Sequence, residues 1–266
     1  MANTPYENFV LEDKIEDQYN SHLDLQRFCT VDNSLEGTAG MKKTVHVYSA
    51  TSSVQKVAQG AGNTKASEAS FTAKEYVIQC AQGHFTYFDE EAAKDPNIVD
   101  VGTNHLAVDL YNTGNNDIYA EFLKTTNVVT GTGFNFDLFV DLAASIPTDS
   151  MTDDEIANME IFAFLHKADV AKLRKSLKED LKYVEAYART GYVGTVAGVN
   201  VYTKKDATQG TVVGGTKAAV TWFNKKNTEV EQERDANLRK NDVYGRKYYV
   251  VALTDDTRAF KAVITA

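Results

Sequence analysis

Between Met41 and Phe88 the sequence has strand-like ends and almost nothing to bury in the middle. Met41–Ala50 reads MKKTVHVYSA, in which Val45 and Val47 alternate with His46 and Tyr48, the period of two that a strand requires. Phe71–Gln79 reads FTAKEYVIQ, and the pattern resumes at His84–Phe88. The 19 residues from Ser52 to Ser70, SSVQKVAQGAGNTKASEAS, are small and polar, with a flexible tip expected near Gly60–Lys65. An isolated two-stranded hairpin is marginal in water. This one therefore needs contacts outside its own core, and that requirement narrows the folds open to the chain.

The rest of the composition sets bounds. At 266 residues and 43% hydrophobic, the chain suits one large domain or two modest ones and is not disordered. Its longest apolar runs, such as Tyr248–Leu253, are too short to span a bilayer, so no membrane partner is expected. The acidic start MANTPYENFVLEDKIED lacks the pattern of a signal peptide. The formal net charge of −9 argues against a tight nucleic-acid binder, which needs a basic footprint, but not against the wall of a compartment that holds nucleic acid loosely. Cys29 and Cys80, the only two cysteines, read as buried free thiols rather than a disulfide framework.

Local patterns give an order of elements. Residues 1–40 read as an arm, with Ile15, Tyr19 and Leu23 on a thin helical stripe. Asp95–Asn127 fits an amphipathic helix, which the TGNN run at Thr113–Asn116 should kink or break. Phe134–Ile146 gives a second helix with Phe136, Phe139, Val140 and Ala143 on one face. Glu160–Leu165 (EIFAFL) reads as a buried strand, followed by a third helix from Ala168 to about Leu181 that presents Val170, Leu173, Leu177 and Leu181 on one side. The stretch Thr190–Asp235 places a Gly/Thr-rich loop between two strand-like runs, and a charged segment with Glu229, Glu231, Glu233 and Arg234 closes it. Trp222, in the alternating run AAVTWF, is expected in a core. Tyr244–Ile264 reads as a final hairpin about the polar turn TDDT.

No chemistry emerges from these patterns. The five histidines, His22, His46, His84, His105 and His166, have no metal-ligand spacing. Asp149, Asp153, Asp154 and Glu155 cluster without the spacing of a calcium loop. The glycines at 191, 194 and 198 do not make a dinucleotide fingerprint, and no nucleophile elbow occurs. The expectation is a non-enzyme without cofactor or metal.

The order of parts resembles the major capsid protein of tailed bacteriophages, whose α+β fold is named for phage Hong Kong 97. FLHKADVAKLRKS is similar to that family's strand-then-helix step, GTVAGVNVYTKK to its strand pair, and AVTWFNKKNTEVEQERDA leading into Tyr248–Asp256 to the close of its axial domain. The resemblance covers nearly the whole chain. It implies an N-terminal arm (1–40), an extended loop (41–88) that reaches over an adjacent subunit, a peripheral domain with a long spine helix (89–159 and 242–266), and an axial domain (160–241) around a five- or six-fold centre. It also implies self-assembly into pentamers and hexamers of an icosahedral head that encloses double-stranded DNA, in a virion assembled in the host cytoplasm. With the arm beginning so close to Met1, a separate scaffolding protein is expected, together with a portal and a cement protein.

Subunit contacts are expected at Val57, Gly60, Gly62, Asn63 and Lys65 in the hairpin tip, and at Gly210, Gly214 and Gly215 in the segment DATQGTVVGGT, read as a loop lining the ring centre. Two other readings compete. One is an encapsulin-like cellular nanocompartment shell of the same fold. The other is a small-molecule enzyme or binding domain with an unusual hairpin.

Overall fold

The computed structural model describes residues 25–50, 53–95, 97–148, 151, 155–156, 158–178 and 194–264. The stripe Ile15–Tyr19–Leu23, Pro96, the acidic residues Asp149, Asp153 and Asp154, Leu181 and Gly191 lie outside the described residues.

The described strands form three sheets. The first is built on β10 (Val220–Asp235) and β11 (Lys240–Leu253), paired antiparallel. Their turn is closed by Asp235, whose Oδ1 accepts from the backbone N–H of Asn237 and Leu238, at 2.9 and 3.1 Å. On the far side of β11 lies antiparallel β4 (Gln79–Phe88), and on the far side of β10 lies short, parallel β1 (Thr30–Asp32). The second sheet has six strands in the order β5-β12-β9-β6-β8-β7: Val128–Gly131, Ala259–Ile264, Thr211–Thr216, Ile161–Leu165, Val199–Thr203 and Thr195–Val196. The third is the hairpin of β2 (Lys42–Ala50) and β3 (Ala69–Val77).

The six-stranded sheet is covered on both faces, which explains the unbroken apolar run of β6. Ile161, Ala163 and Leu165 point to one side, against Leu138, Phe139 and Leu142 of α3 (Phe136–Ala144) and Val170 and Leu173 of α4 (Lys167–Ser176). Phe162 and Phe164 point to the other, into a cluster with Ile118, Tyr119 and Phe122. A strand buried on both faces has no polar side to alternate with.

Those last three residues belong to α2 (Ile98–Leu123), which follows the short helix α1 (Asp89–Lys94). Buried positions along α2 recur every three or four residues, at Thr103, Leu106, Leu110, Gly114, Ile118 and Phe122. Its first half lies on the four-stranded sheet at a notch. Gly83 of β4 and Gly245 of β11 are register partners, and a Cβ added at either would sit 2.2 or 2.9 Å from a methyl carbon of Leu106. Two side chains are missing from the sheet where one leucine enters.

Four local expectations are corrected. The TGNN run neither breaks nor ends α2. Gly114 and Asn115 are buried there, the Asn115 side chain accepts a hydrogen bond from Leu25 N at 3.3 Å, and Thr113 Oγ1 donates to Asp109 O at 2.8 Å. Tertiary contact outweighs a propensity deficit of about 1 kcal/mol for such a glycine. The buried face of α3 is Leu138, Phe139 and Leu142, while Phe136 and Val140 are exposed; its N-cap is Asn135, which accepts from Leu138 N. Tyr244–Ile264 is not a hairpin, because β11 and β12 belong to different sheets. Asp255 Oδ1 accepts from Thr257 N, and Thr254 N and Asp255 N both donate to Ala219 O, so the polar turn carries the chain from one sheet to the other. Cys29 is buried as expected, with its thiol pushed up to about 12 by burial, but Cys80 is exposed on β4.

Trp222 is fully buried and stacks on Tyr249 with ring centroids 4.1 Å apart. It sits on β10 in the cluster between the two large sheets. Trp222→Ala should destabilise the subunit by about 3–5 kcal/mol, as expected for emptying an aromatic core site. Chemical denaturation of the isolated subunit measures it; a folded variant of unchanged stability would place Trp222 outside the core.

Candidate functional site

The hairpin pairs over nine register positions, from Lys42↔Val77 to Ala50↔Ala69. At the strand rise per residue that ladder is roughly 30 Å long. Its base is held against the four-stranded sheet. Val45 and Tyr76 pack against Ile78, Phe223, Val250 and Ala252; Tyr76 Oη donates to Leu253 O at 3.2 Å; Lys43 Nζ lies 4.6 Å from the centre of the Phe223 ring. The preceding loop braces the same corner, with Leu35 in the cluster, Glu36 accepting from the Asn224 amide, and Lys225 Nζ donating to the carbonyls of Leu35 and Thr38. Beyond the base nearly every described residue is exposed, including Val54 at 82%, Val57 at 48% and Phe71 at 69%. None of these bracing contacts was visible in the sequence; the only signal was the alternation of Tyr76 and Ile78.

The expected tip residues are brought together. Gly60, with φ of +83°, makes the turn closed by Ala61 N donating to Ala58 O, a conformation that favours a residue without Cβ. Asn63 ties the two arms: its Nδ2 donates to Ser53 O and its Oδ1 accepts from Lys65 N, both at 2.8 Å. Thr64 adds hydrogen bonds to Gln55 Oε1. Val57, Gly60, Gly62, Asn63 and Lys65 thus form one exposed loop with a defined shape.

The second group of candidates is dispersed. Gly210 lies in the turn before β9, where its N–H donates to Asp169 Oδ2 at 2.8 Å; Asp169 is fully buried and also holds Lys172 at 2.9 Å. Gly214 and Gly215 are not in a ring-lining loop. They lie within β9, in the interior of the six-stranded sheet, and are buried. An added Cβ would stand 2.0 Å from Phe162 O at Gly214 and 2.3 Å from Arg258 O at Gly215. The glycines let three backbones approach closely.

The charged segment after Trp222 forms the outer half of the β10–β11 ribbon. Arg246 bridges to Glu231 and Glu229 across the strands, and Arg234 reaches Asp89 at the start of α1 at 2.8 Å. Nearby, Asp242 is a hub. Its Oδ1 contacts His84 Nε2 at 3.0 Å and Thr86 Oγ1, and its Oδ2 pairs with Lys240 at 2.8 Å. Threonine, histidine and aspartate are together here, yet Thr86 and Asp242 both meet the same ring nitrogen, Nε2. A proton relay needs the base and its orienting carboxylate on different nitrogens, so this cluster is a structural ion pair. The Lys240 hydrogen bond, then that of Thr86, holds the Asp242 carboxyl below the usual carboxylate range. Among the described residues, no group of three or more His, Cys, Asp or Glu side chains converges as metal ligands.

Compared by sequence, the chain matches no protein-family profile and no curated protein. Compared by structure, it matches solved structures over nearly its whole length. One is from Mycobacterium phage Che8, at 17% identity over 98% of this chain and 93% of that one, with a TM-score of 0.69. Another is the capsid of the cyanophage P-SCSP1u, at 12% identity over 100% and 90%, TM-score 0.67. A third is a virus-like particle from Pyrococcus furiosus, at 11% identity over 96% and 98%, TM-score 0.65. At these identities what is shared is the fold, and the fold is of the Hong Kong 97 type.

Two expected outcomes follow from this geometry. Gly214→Ala should prevent correct folding of the free subunit, because the obstructing atom is backbone; Gly83→Ala, which meets only the flexible end of Leu106, should be milder. Circular dichroism of both variants decides it, and a well-folded Gly214→Ala subunit would contradict the core placement. For Asp242, a depressed folded pKa means that its stabilisation is fully present above the ordinary carboxylate value of about 3.9. It is lost as pH falls through the lower folded value. Asp242→Asn should therefore be less stable than the parent at pH 7, and the gap should close in acid; a gap independent of pH would remove the ion pair from the account.

Proposed function

We propose that this protein is the major capsid protein of a phage head: a structural subunit whose copies join as pentamers and hexamers into an icosahedral shell around double-stranded DNA. The observation that carries the reading is the hairpin. On a fold shared with capsid subunits, a nine-pair ladder leaves its own subunit with exposed apolar side chains and no core beneath it. Such a ladder is stabilised when it lies on a neighbouring copy, and a head-to-tail contact of that kind closes into a ring when its rotation permits.

In this reading the hairpin β2–β3 is the extended loop. The four-stranded sheet with α2 is the peripheral domain, and the six-stranded sheet with α3 and α4 is the axial domain. The strand pairing supports a division that interleaves in sequence. Residues 79–88, expected in the extended loop, pair with β11; β10, expected in the axial domain, pairs along its length with β11 on the other side of the expected border at 241; β5 and β12, expected in the peripheral domain, extend the six-stranded sheet. Phe136 and Val140 on α3 and Val128 and Val263 on the neighbouring strands β5 and β12 supply further exposed apolar surface for contacts between copies.

Copies of itself are the first partners. A separate scaffolding protein, a portal and an outer cement protein complete the set, and packaged DNA touches an acidic wall only weakly, given the net charge of −9. The likeness to the archaeal virus-like particle supports a second reading, a nanocompartment shell, which differs in holding protein rather than nucleic acid.

Deleting Gln59–Lys65 tests the main reading. The shortened subunit should keep its circular-dichroism spectrum and lose shell formation in negative-stain micrographs. Normal shells from the deletion variant, or an intact chain that stays monomeric with and without a scaffold, would overturn it. Nucleic acid or protein inside purified shells separates the phage head from the nanocompartment.

A further inference from the structure

Where the chain turns through Leu25–Phe28, it lies beside the middle of α2 and the end of β8, and a cleft of about 350 Å³ opens between them. Lys204 is among the residues that line it. This lysine is 8% exposed, its Nζ donates to Asn116 Oδ1 at 2.6 Å, and it lies 5.3 Å from the centre of the Tyr119 ring. An ammonium has three protons to donate, and the described surroundings offer one oxygen and one ring face. Among the described residues no carboxylate comes within ion-pair distance of Lys204. Asp206 acts on it only from farther away, and burial pushes its pKa down. A buried charge without a counter-ion is unfavourable and normally finds one.

The rest of the lining points the same way. Arg27, with its guanidinium carbon 4.7 Å from the Phe28 ring centre and 5.5 Å from that of Tyr202, has no carboxylate partner among the described residues. Lys205 also lines the cleft, against the single carboxylate of Asp206. Asn115 uses its Oδ1 on Leu25 N, which leaves its amide N–H groups as donors. Three cations to one anion is a local inversion in a chain whose net charge is −9.

We propose that this cleft is a binding site for a compact oxyanion, a carboxylate or phosphate group, held by Lys204 from inside and by Arg27 at the rim. The ammonium supplies the point charge. The guanidinium supplies a planar fork already oriented by its two rings, which suits two oxygens of one anion. The site is complete within one subunit, since every residue named belongs to one chain.

The test uses full-length, unassembled subunits. Sodium phosphate and sodium acetate are titrated separately, with sodium chloride at matched ionic strength and pH as the reference, and binding heat and melting temperature are read. Saturable binding with a rise in melting temperature is expected for at least one oxyanion and not for chloride. Phosphate alone identifies a phosphate site, and acetate identifies one that accepts acidic side chains. Lys204→Met should abolish saturable binding, Lys204→Arg should retain part of it, and Arg27→Gln should weaken it about tenfold, the loss expected of one charge-assisted contact. Since Arg27 is exposed, its variant keeps the test decisive if Lys204→Met fails to fold. No saturable effect of either oxyanion, or undiminished binding in both Lys204→Met and Arg27→Gln, overturns the proposal.

Discussion

The fold depends on one junction: the C-terminal half of α2 buried between two sheets that do not otherwise share strands. Ile118, Tyr119 and Phe122 meet Phe162 and Phe164 from the six-stranded sheet and Trp222, Tyr249 and Val251 from the four-stranded one. Phe28 closes the cluster, with ring centroids 4.7 Å from Phe162 and 5.2 Å from Phe164. Aromatic groups of this size dominate core energetics. The first half of the same helix is set in the glycine notch of the four-stranded sheet, so a single 26-residue element fixes both halves of the molecule.

Much of this was legible in the sequence, and the limits are instructive. The run EIFAFL announced a buried strand, the spacing of Val170, Leu173 and Leu177 gave the buried stripe of α4, and the alternation around Trp222 gave its burial. Each is a local pattern with a local cause. The misreadings all concern partners distant in sequence. The turn at Thr254–Thr257 signals a reversal, but it says nothing about which sheet receives the next strand. The TGNN run has poor helix propensity, yet it is held by a backbone N–H ninety residues earlier in the chain. Phe136 and Phe139 look equivalent in composition; which of them is buried depends on where the sheet lies.

The same distinction runs through the functional surfaces. The hairpin tip was legible because nothing in it was apolar enough to be core. Gly214 and Gly215 misled because a glycine pair reads as a loop when the reader cannot see a neighbouring carbonyl that excludes a Cβ. Lys204 was passed over in the motif VYTKK, since a lysine in a polar run gives no sign that it points inward. Depth, unlike periodicity, is not written in a sequence window.

The β2–β3 ladder has a mechanical consequence. Clamped at one end by Tyr76, Ile78 and Lys43 and exposed along most of its length, it is a lever whose pivot lies against Phe223 and Val250. Over an arm of roughly 30 Å, a tilt of about 6° at the pivot carries the far end through about 3 Å. A rearrangement no larger than a change of packing at these five side chains is thereby amplified into a displacement of several ångströms. In the proposed shell this would let one sequence meet neighbours at more than one angle without remaking either of its sheets.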